Sequence, residues 1–361
     1  MVRFDKKKLY LCPECENVGF HAETNRVHRL CVIVLLGNTH FEETEKTVLI
    51  AMKKDKIVVI GSSNTDMVIR VDHIPQPGET VMGREFLTNQ GGKGANQAVA
   101  ASSLGQGVVF VARLGDDSFG HDALDTLSTK GLDTRFVTLT PGVATGCAMI
   151  AVDDRGENSI IVASGANAAL SCADIDAAAD VIRQEAAIVL IQLESPIETL
   201  TYAARMAHEA GVRVVLNPAP FPSTPLPEAL LSNIDLIVPN ETEAARMTGL
   251  SVETEADMLS AIEAIRKKGV HDVIITAGAA GSYTLVNGTL LHQQAFPVKP
   301  VDTTAAGDTY CGALCVALRD GLPFATAMRR ASAAASLSTT RLGAWASIPS
   351  LEEVEAKLNE K

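Results

Sequence analysis

The stretch AIVLIQLESPIETLTYAARMAHEAGVRVVLNPAP, Ala187 to Pro220, decides the fold. It opens on a β-branched and aliphatic run, is predicted helical from Pro196 to about Ala210, and returns to a second aliphatic run that ends at Asn217-Pro218. Strand, helix and strand in immediate succession make the unit of a parallel sheet, because parallel neighbours need a crossover and a helix usually supplies it. The rhythm recurs in KIVVIGSS (Lys56–Ser63), in VVFVARLG (Val108–Gly115) with a helix over 117–130, in DLIVPN (Asp235–Asn240) with a helix over 241–248, and in VIITAG (Val273–Gly278). Short β-branched runs bounded by Gly, Pro or Asn and alternating with helices predict an α/β fold with a mostly parallel central sheet and helices on both faces.

In such sheets ligands sit beyond the carboxyl ends of the strands. The polar punctuation falls there: Ser62-Ser63-Asn64, Gln192-Leu193-Glu194, Asn217-Pro218, Pro239-Asn240-Glu241 and Thr276-Ala277-Gly278. Two extended regions, about 66–91 and 146–164, break the strand–helix rhythm. They predict a small antiparallel β-sheet lid at the mouth of the site, with edge strands of the main sheet as the alternative.

Composition narrows the function classes. The chain has 361 residues, 47% apolar and 20% charged, the profile of a globular protein with ample core. Lys and Arg number 31 against 43 Asp and Glu, a formal charge of -12. An acidic chain with few aromatics is poorly suited to nucleic acid or to an anionic membrane, so neither is expected as a partner. The apolar run Leu30–Leu36 is too short to span a bilayer. Seven scattered cysteines predict reduced thiols and a cytoplasmic location.

Two further stretches carry chemistry. In VDTTAAGDTYCGAL (Val301–Leu314), Cys311, Leu314, Cys315 and Leu318 recur at helical spacing, which puts Asp308 in the first turn of a helix. The N–H groups of Ala305 to Asp308 lack earlier helical carbonyls, and small side chains leave them open to an anion. A carboxylate there can cap the helix, or it can accept a proton from an alcohol that attacks the anion. In NQGGKGANQAVAASSLG (Asn89–Gly105), Lys93 is followed by glycine, so this is no P-loop, and the third glycine of a dinucleotide fingerprint is missing. Its glycines would let backbone approach a small ligand, with Lys93 and Asn96 offered to hydroxyl groups, or would simply open a glycine-rich helix start.

GGKGANQA together with DTTAAGDTYCGA resembles the paired signatures of the ribokinase-like carbohydrate kinase family. The resemblance covers roughly 55–361, with GSSNTD, GGKGANQ, GDD (Gly115–Asp117), QLE, NPAP, PNETE, ITAG and DTTAAGD in the family's order. It implies ATP-dependent phosphorylation of D-ribose at the 5-hydroxyl to D-ribose 5-phosphate, with ATP, Mg2+ and K+. Deoxyribose or another sugar of the same family, or a non-catalytic sugar sensor, are the alternatives. Asp308 then matches the catalytic base, and the amides of Ala305, Ala306 and Gly307 match the hole for the transferring phosphoryl group. Asn64, Thr65, Asp66, Gly92, Lys93, Gly94, Ala95, Asn96 and Glu194, with Asp308, match sugar-binding positions. Asn240, Thr276, Ala277, Gly278, Ala279, Ala280, Gly281 and Ser332, with Gly307 and Asp308, match nucleotide-binding positions. Glu243 matches a water-mediated Mg2+ ligand. Asp302, Thr304, Ser338, Arg341, Gly343 and Ser347 match a K+ site, with Asp302 merely capping its turn as the alternative. The lid strands imply a homodimer.

The chain departs from the family's pattern in four ways. Tyr310 replaces a phenylalanine, and Ser332 stands where His or Asn is common. Trp345-Ala346 replaces a Gln-containing pair, which would place a bulky ring near the cation site. The N-terminal extension, 1–54, is read as a poorly ordered leader or mis-assigned start ahead of a kinase domain over 55–361. Cys12, Cys15, His28 and Cys31 in it could offer zinc ligands.

Overall fold

The computed structural model describes residues 30–32, 50–52 and 54–360. It divides into two units, Met1–Lys54 and Asp55–Lys361. In the first, β1 (Leu30–Val32) pairs antiparallel with β2 (Ile50–Met52). Cys12, Cys15 and His28, and the side chain of Cys31, lie outside the described residues. Among the described residues no cluster of His, Cys, Asp or Glu is arranged to hold a metal ion, and no helix is long and apolar enough to cross a membrane.

The strands of the second unit are β3 (Lys56–Ile60), β4 (Asn64–Arg70), β5 (Glu85–Gly91), β6 (Val108–Gly115), β7 (Asp133–Thr140), β8 (Gly146–Val152), β9 (Asn158–Ala163), β10 (Ala186–Ile191), β11 (Arg213–Leu216), β12 (Leu236–Ile237), β13 (Asp272–Thr276), β14 (Ser282–Val286) and β15 (Thr289–Gln293). Nine of them form the main sheet in the order β15-β14-β13-β12-β11-β10-β3-β6-β7. Pairing is parallel from β7 through β13, and the β13–β14 and β14–β15 pairs are antiparallel. Strands β7, β14 and β15 extend the sheet beyond the repeating runs singled out in the sequence. The helices are α1 (Lys93–Leu104), α2 (Ser118–Thr129), α3 (Ile197–Glu209), α4 (Glu241–Thr248), α5 (Glu255–Arg266), α6 (Ala306–Arg319), α7 (Phe324–Ser338) and α8 (Leu351–Asn359), with shorter turns between them.

One apolar core packs α3, α4 and α5 against one face of the sheet, around Val58, Ile60, Val189 and Ile191. A second packs α1, α6 and α7 against the other face, around Ile57, Val59, Phe110 and Leu190. Successive strand residues point to opposite faces, so β3 and β10 are apolar throughout and read as unbroken runs rather than alternating ones. The chain leaves β3 for β6 on one side and β10 for β11 on the other. The reversal lies between the neighbours β3 and β10, and the crevice of an open α/β sheet forms at such a point.

The two irregular regions form a separate four-stranded sheet, β5-β4-β8-β9. Its outer pairs are antiparallel, but its central pair, β4 with β8, is parallel from Asn64↔Gly146 to Arg70↔Val152. The lid is therefore mixed rather than wholly antiparallel. Asp117 anchors one of its roots. This carboxylate caps α2 through the Gly120 N–H at 2.9 Å and also accepts from the N–H and hydroxyl of Thr145, at 2.8 and 2.6 Å. That is the physical use of the GDD motif.

Candidate active site

The crevice is bounded first by the segment that follows β3. Asn64 is buried, and its side-chain oxygen accepts from Asn167 Nδ2 at 2.7 Å. Asn167 Oδ1 in turn accepts from the Ser63 N–H at 2.9 Å, which fixes the orientation of both amides. Among the described residues the amide hydrogens of Asn64 meet no acceptor. The buried hydroxyls of Ser63 and Thr65 have no hydrogen-bond partner among the described residues. Asp66 lies on the same strand. Burial, with the nearby Glu194 and Asp308 carboxylates, pushes its carboxyl up to about 7, although Lys93 opposes this.

The start of α1 packs directly on this segment. Gly92 has φ +88°, and a Cβ there would lie 2.7 Å from the Asn64 nitrogen. One at Gly94 would lie 2.5 Å from the Ser62 nitrogen. Both glycines are thus required by backbone packed on backbone. Ala95 is likewise fully buried, and its N–H donates to the Ser62 carbonyl at 2.8 Å. Glu194, just past β10, accepts from the Lys93 N–H at 2.9 Å and from Ser62 Oγ at 2.6 Å, both through Oε2. A carboxylate at a helix N-terminus is favoured by the dipole, and here its second oxygen stays available.

Across the crevice, Asp308 occupies the first turn of α6, as its spacing predicted. It is buried, and each carboxylate oxygen accepts one side-chain amide: Asn96 Nδ2 on Oδ2 and Gln97 Nε2 on Oδ1, both at 2.9 Å. Gly312, one turn on, permits this. A Cβ there would come within 2.8 Å of the α1 backbone, so only glycine lets the two helices approach closely enough for their side chains to meet. Asn96 is therefore held against the carboxylate through one of its two amide hydrogens. The Asp308 carboxylate also lifts the Lys93 ammonium above its ordinary range against the opposing effect of burial, with Glu194 and Glu243 adding to the lift.

The turn expected to form the anion hole differs from expectation in one donor. Ala305 adopts a left-handed conformation, φ 59°, which closes a turn in which the Ala306 N–H donates to the Thr303 carbonyl at 3.2 Å. Ala306 is thus not a free donor. Among the described residues the N–H groups of Ala305, Gly307 and Asp308 donate to no backbone carbonyl. A Cβ on Gly307 would meet nothing within 4 Å, so that side of the turn is open space. A cavity of about 220 Å³ lies against it, lined among others by Lys93, Asn240, Glu243, Thr276, Ala305, Gly307 and Asp308.

Asn240 and Glu243 cap α4 reciprocally, the Asn240 N–H donating to Glu243 Oε2 at 2.9 Å and the Glu243 N–H to Asn240 Oδ1 at 2.8 Å. Burial pushes the Glu243 carboxyl up in spite of that bond. Of the loop from Thr276 to Gly281, only Thr276 lines the cavity; Gly278, Ala279 and Ala280 form an exposed turn beyond β13, between buried Ala277 and Gly281. Ser332 is buried on α7, and its hydroxyl donates to the Gln294 carbonyl at 3.2 Å.

Asp302 caps its turn, accepting from the Thr304 N–H and, across the fold, from the Gly343 N–H, both at 2.9 Å. Burial raises its carboxyl, but these hydrogen bonds outweigh burial and hold it below its ordinary value. The turn is thereby tied to the segment that carries Ser338, Arg341, Gly343 and Ser347. Ser338 and Ser347 donate to the carbonyls of Ala335 and Ala344, each at 2.8 Å, and the guanidinium of Arg341 is paired with Glu353. Trp345 is buried, and its Nε1–H donates to Asn96 Oδ1 at 2.9 Å. The hydroxyl that Tyr310 adds finds a buried partner in Ser282 Oγ at 2.9 Å.

Several functional side chains were not singled out by sequence reasoning. Gln97 and Asn217 lay inside quoted motifs, and Asn167 had no local signal at all. Their roles come from pairings that no spacing reveals.

The similarities to known proteins agree with this geometry. Over 297 residues the chain is 42% identical to a ribokinase of Haemophilus influenzae, covering 82% of this chain and 96% of that one. Over 303 residues it is 35% identical to a deoxyribokinase of Salmonella typhi, covering 84% and 98% respectively. It superposes on the ribokinase of Arabidopsis thaliana solved with ribose and ATP with a TM-score of 0.79, at 35% identity, over 85% of this chain and 99% of that one. Residues 54–351 match the pfkB family of carbohydrate kinases, and the chain belongs to that family.

Proposed function

We propose that the protein transfers the γ-phosphoryl group of ATP to the 5-hydroxyl of D-ribose, giving D-ribose 5-phosphate and ADP. The observation that carries this reading is the pairing at the start of α6. A buried carboxylate, held on both oxygens, stands next to uncommitted backbone amides that face a cavity. The sugar's O5–P bond forms as the bond from the γ-phosphorus to the bridging oxygen breaks. ADP leaves with the electron pair, and the hydroxyl proton passes to Asp308. The amides of Ala305 and Gly307 and the Lys93 ammonium face the charge that spreads over the transferring group. Asn64, Asp66, the open oxygen of Glu194 and the remaining hydrogen of Asn96 offer a set of donors and acceptors suited to a polyol.

Asp66, Glu194, Glu243 and Asp308 face Lys93 around one crevice, so a polyphosphate would meet a surplus of negative charge. Cations would relieve it. The open oxygen of Glu243, whose carboxyl burial already disfavours as an anion, fits a Mg2+-bound water. The Asp302 turn, with the carbonyls of its tied segment, fits K+. Such ions would neutralise phosphate charge and stiffen the turn beside the anion hole.

A coupled ADP-release assay over a panel of pentoses and hexoses tests the reading. Ribose is expected to give the highest kcat/KM. A higher value for 2-deoxyribose would move the assignment to the second enzyme in the comparison, and no turnover with any sugar would favour a sensor.

We also propose a homodimer through the lid. Phe86, Met149 and Ile161 on its strands are 60%, 55% and 68% exposed, in one small sheet with little else to cover it. Sedimentation at micromolar concentration is expected to give about twice the 38.1 kDa chain mass, and a purely monomeric boundary would reject the dimer. The described cysteines, Cys147, Cys172, Cys311 and Cys315, are free thiols, which supports a reducing, cytoplasmic setting.

A further inference from the structure

Asp308 is oriented by two amides, and an amide can orient a carboxylate only if its own nitrogen and oxygen ends are fixed. The ends are nearly the same size and shape, so a flip costs little unless a neighbour distinguishes them. On the Gln97 side the neighbour is the main chain. The Val238 carbonyl, which can only accept, takes Asn217 Nδ2 at 2.9 Å. Asn217 Oδ1 therefore faces Gln97 and takes Nε2 at 3.0 Å, so the nitrogen end of Gln97 is the one turned to Asp308. Gln192 Nε2 closes this chain on Gln97 Oε1 at 2.6 Å.

On the Asn96 side the distinguishing neighbour is Trp345. An indole N–H donates and cannot accept. Its bond to Asn96 Oδ1 at 2.9 Å therefore turns Asn96 Nδ2 toward Asp308. A flipped Asn96 would set oxygen lone pairs against the carboxylate and present its N–H groups to another donor. Both oxygens of Asp308 thus meet donors because a carbonyl anchors one relay and an indole anchors the other. Trp345 is buried, and two residues earlier the Gly343 N–H binds Asp302, so one short segment braces both the base and the turn leading into the anion hole.

The geometry points to Trp345 as a positioning residue for phosphoryl transfer: its N–H fixes the Asn96 amide, which holds the Asp308 carboxylate in line with the sugar hydroxyl. The inference rests on Asp308 being the base. Losing the N–H orphans a buried acceptor and frees the amide to rotate. The carboxylate is then held on one oxygen only, and reaction geometry is sensitive to small displacements.

The chain's single tryptophan makes a clean test possible. A tryptophan-auxotrophic host fed the benzothienyl analogue, in which sulfur replaces the indole N–H, alters residue 345 alone and keeps the ring's shape. The expected result is a fall in kcat of about tenfold with KM for ribose and ATP within about twofold of normal, the size of one buried hydrogen bond expressed in the transition state. Trp345→Phe is expected to behave like the analogue, and Trp345→Gln, smaller but still a donor, to recover most of the turnover. If activity followed side-chain volume instead, with Gln worse than Phe, or if the sulfur analogue kept full kcat, the proposal would be overturned. Asp308→Ala serves as control. Retained turnover there would remove the base assignment and this proposal with it, whereas loss there with none in the analogue would remove the positioning role alone.

Discussion

Asp308→Ala is expected to cut kcat by roughly 10²–10⁴-fold, the range ascribed to a positioned general base. Sugar and nucleotide binding should survive, because Asn64, Asp66, Glu194 and the Ala305 and Gly307 amides are untouched. The effect should therefore appear in kcat, with KM little changed, as for an interaction used in the transition state. Asp308 accepts Asn96 and Gln97, so its removal leaves two buried donors without their acceptor. A thermal melt alongside the kinetics separates loss of the base from loss of the fold. Equilibrium binding of ribose to the variant distinguishes an inactive kinase from a misfolded chain. Turnover at the wild-type rate would refute the mechanism.

The second large effect concerns Asp66. Its carboxyl titrates at about 7, raised by burial and then by the Glu194 and Asp308 carboxylates. The ionised form only accepts, on both oxygens, whereas protonation turns one of them into a donor that meets the sugar hydroxyls poorly. The KM for ribose is therefore expected to be lowest and flat above about pH 7 and to rise about tenfold per unit below it. In Asp66→Asn that inflection should vanish, and kcat/KM for ribose at pH 8 should drop roughly 10²-fold, the scale of a polar site left mismatched to its substrate. Stability should move the other way. The native state binds this proton more tightly than the unfolded chain, whose carboxyl titrates near 3.8, so folding loses stability as pH rises through the window from about 4 to about 7. Asp66→Asn is freed from that loss and should melt higher than wild type at pH 8, with the gap closing toward pH 4. A ribose KM independent of pH between 6 and 8 in the wild type would remove Asp66 as the titrating group.

Much of the fold was legible because it is written in short range. Runs such as KIVVI and AIVLI are apolar throughout because both faces of their strands are covered, and the break between strand and helix is marked at each end by Gly, Pro or Asn. The placement of Asp308 in the first helical turn followed from four apolar residues at helical spacing. The lid was legible as a departure from rhythm. Its internal pairing was not, since β4 and β8 meet across some eighty residues of chain and nothing local says that they run parallel.

The sequence alone determined the layered α/β architecture, the position of Asp308 at a helix start, and the motifs that supply much of the crevice lining. Each depends on periodicity and backbone preference within a few turns of chain. Tertiary structure decided which polar ends face each other. The Trp345–Asn96 and Asn96–Asp308 bonds span 249 and 212 residues, so the donor that fixes the base's amide had no neighbour in sequence to betray it. It also decided that Ala306 is spent inside its own turn, and that Gly92 and Gly94 answer to a backbone packed against them. Hydrogen-bond direction and close approach are properties of atoms in space, and only the packed chain brings those atoms together.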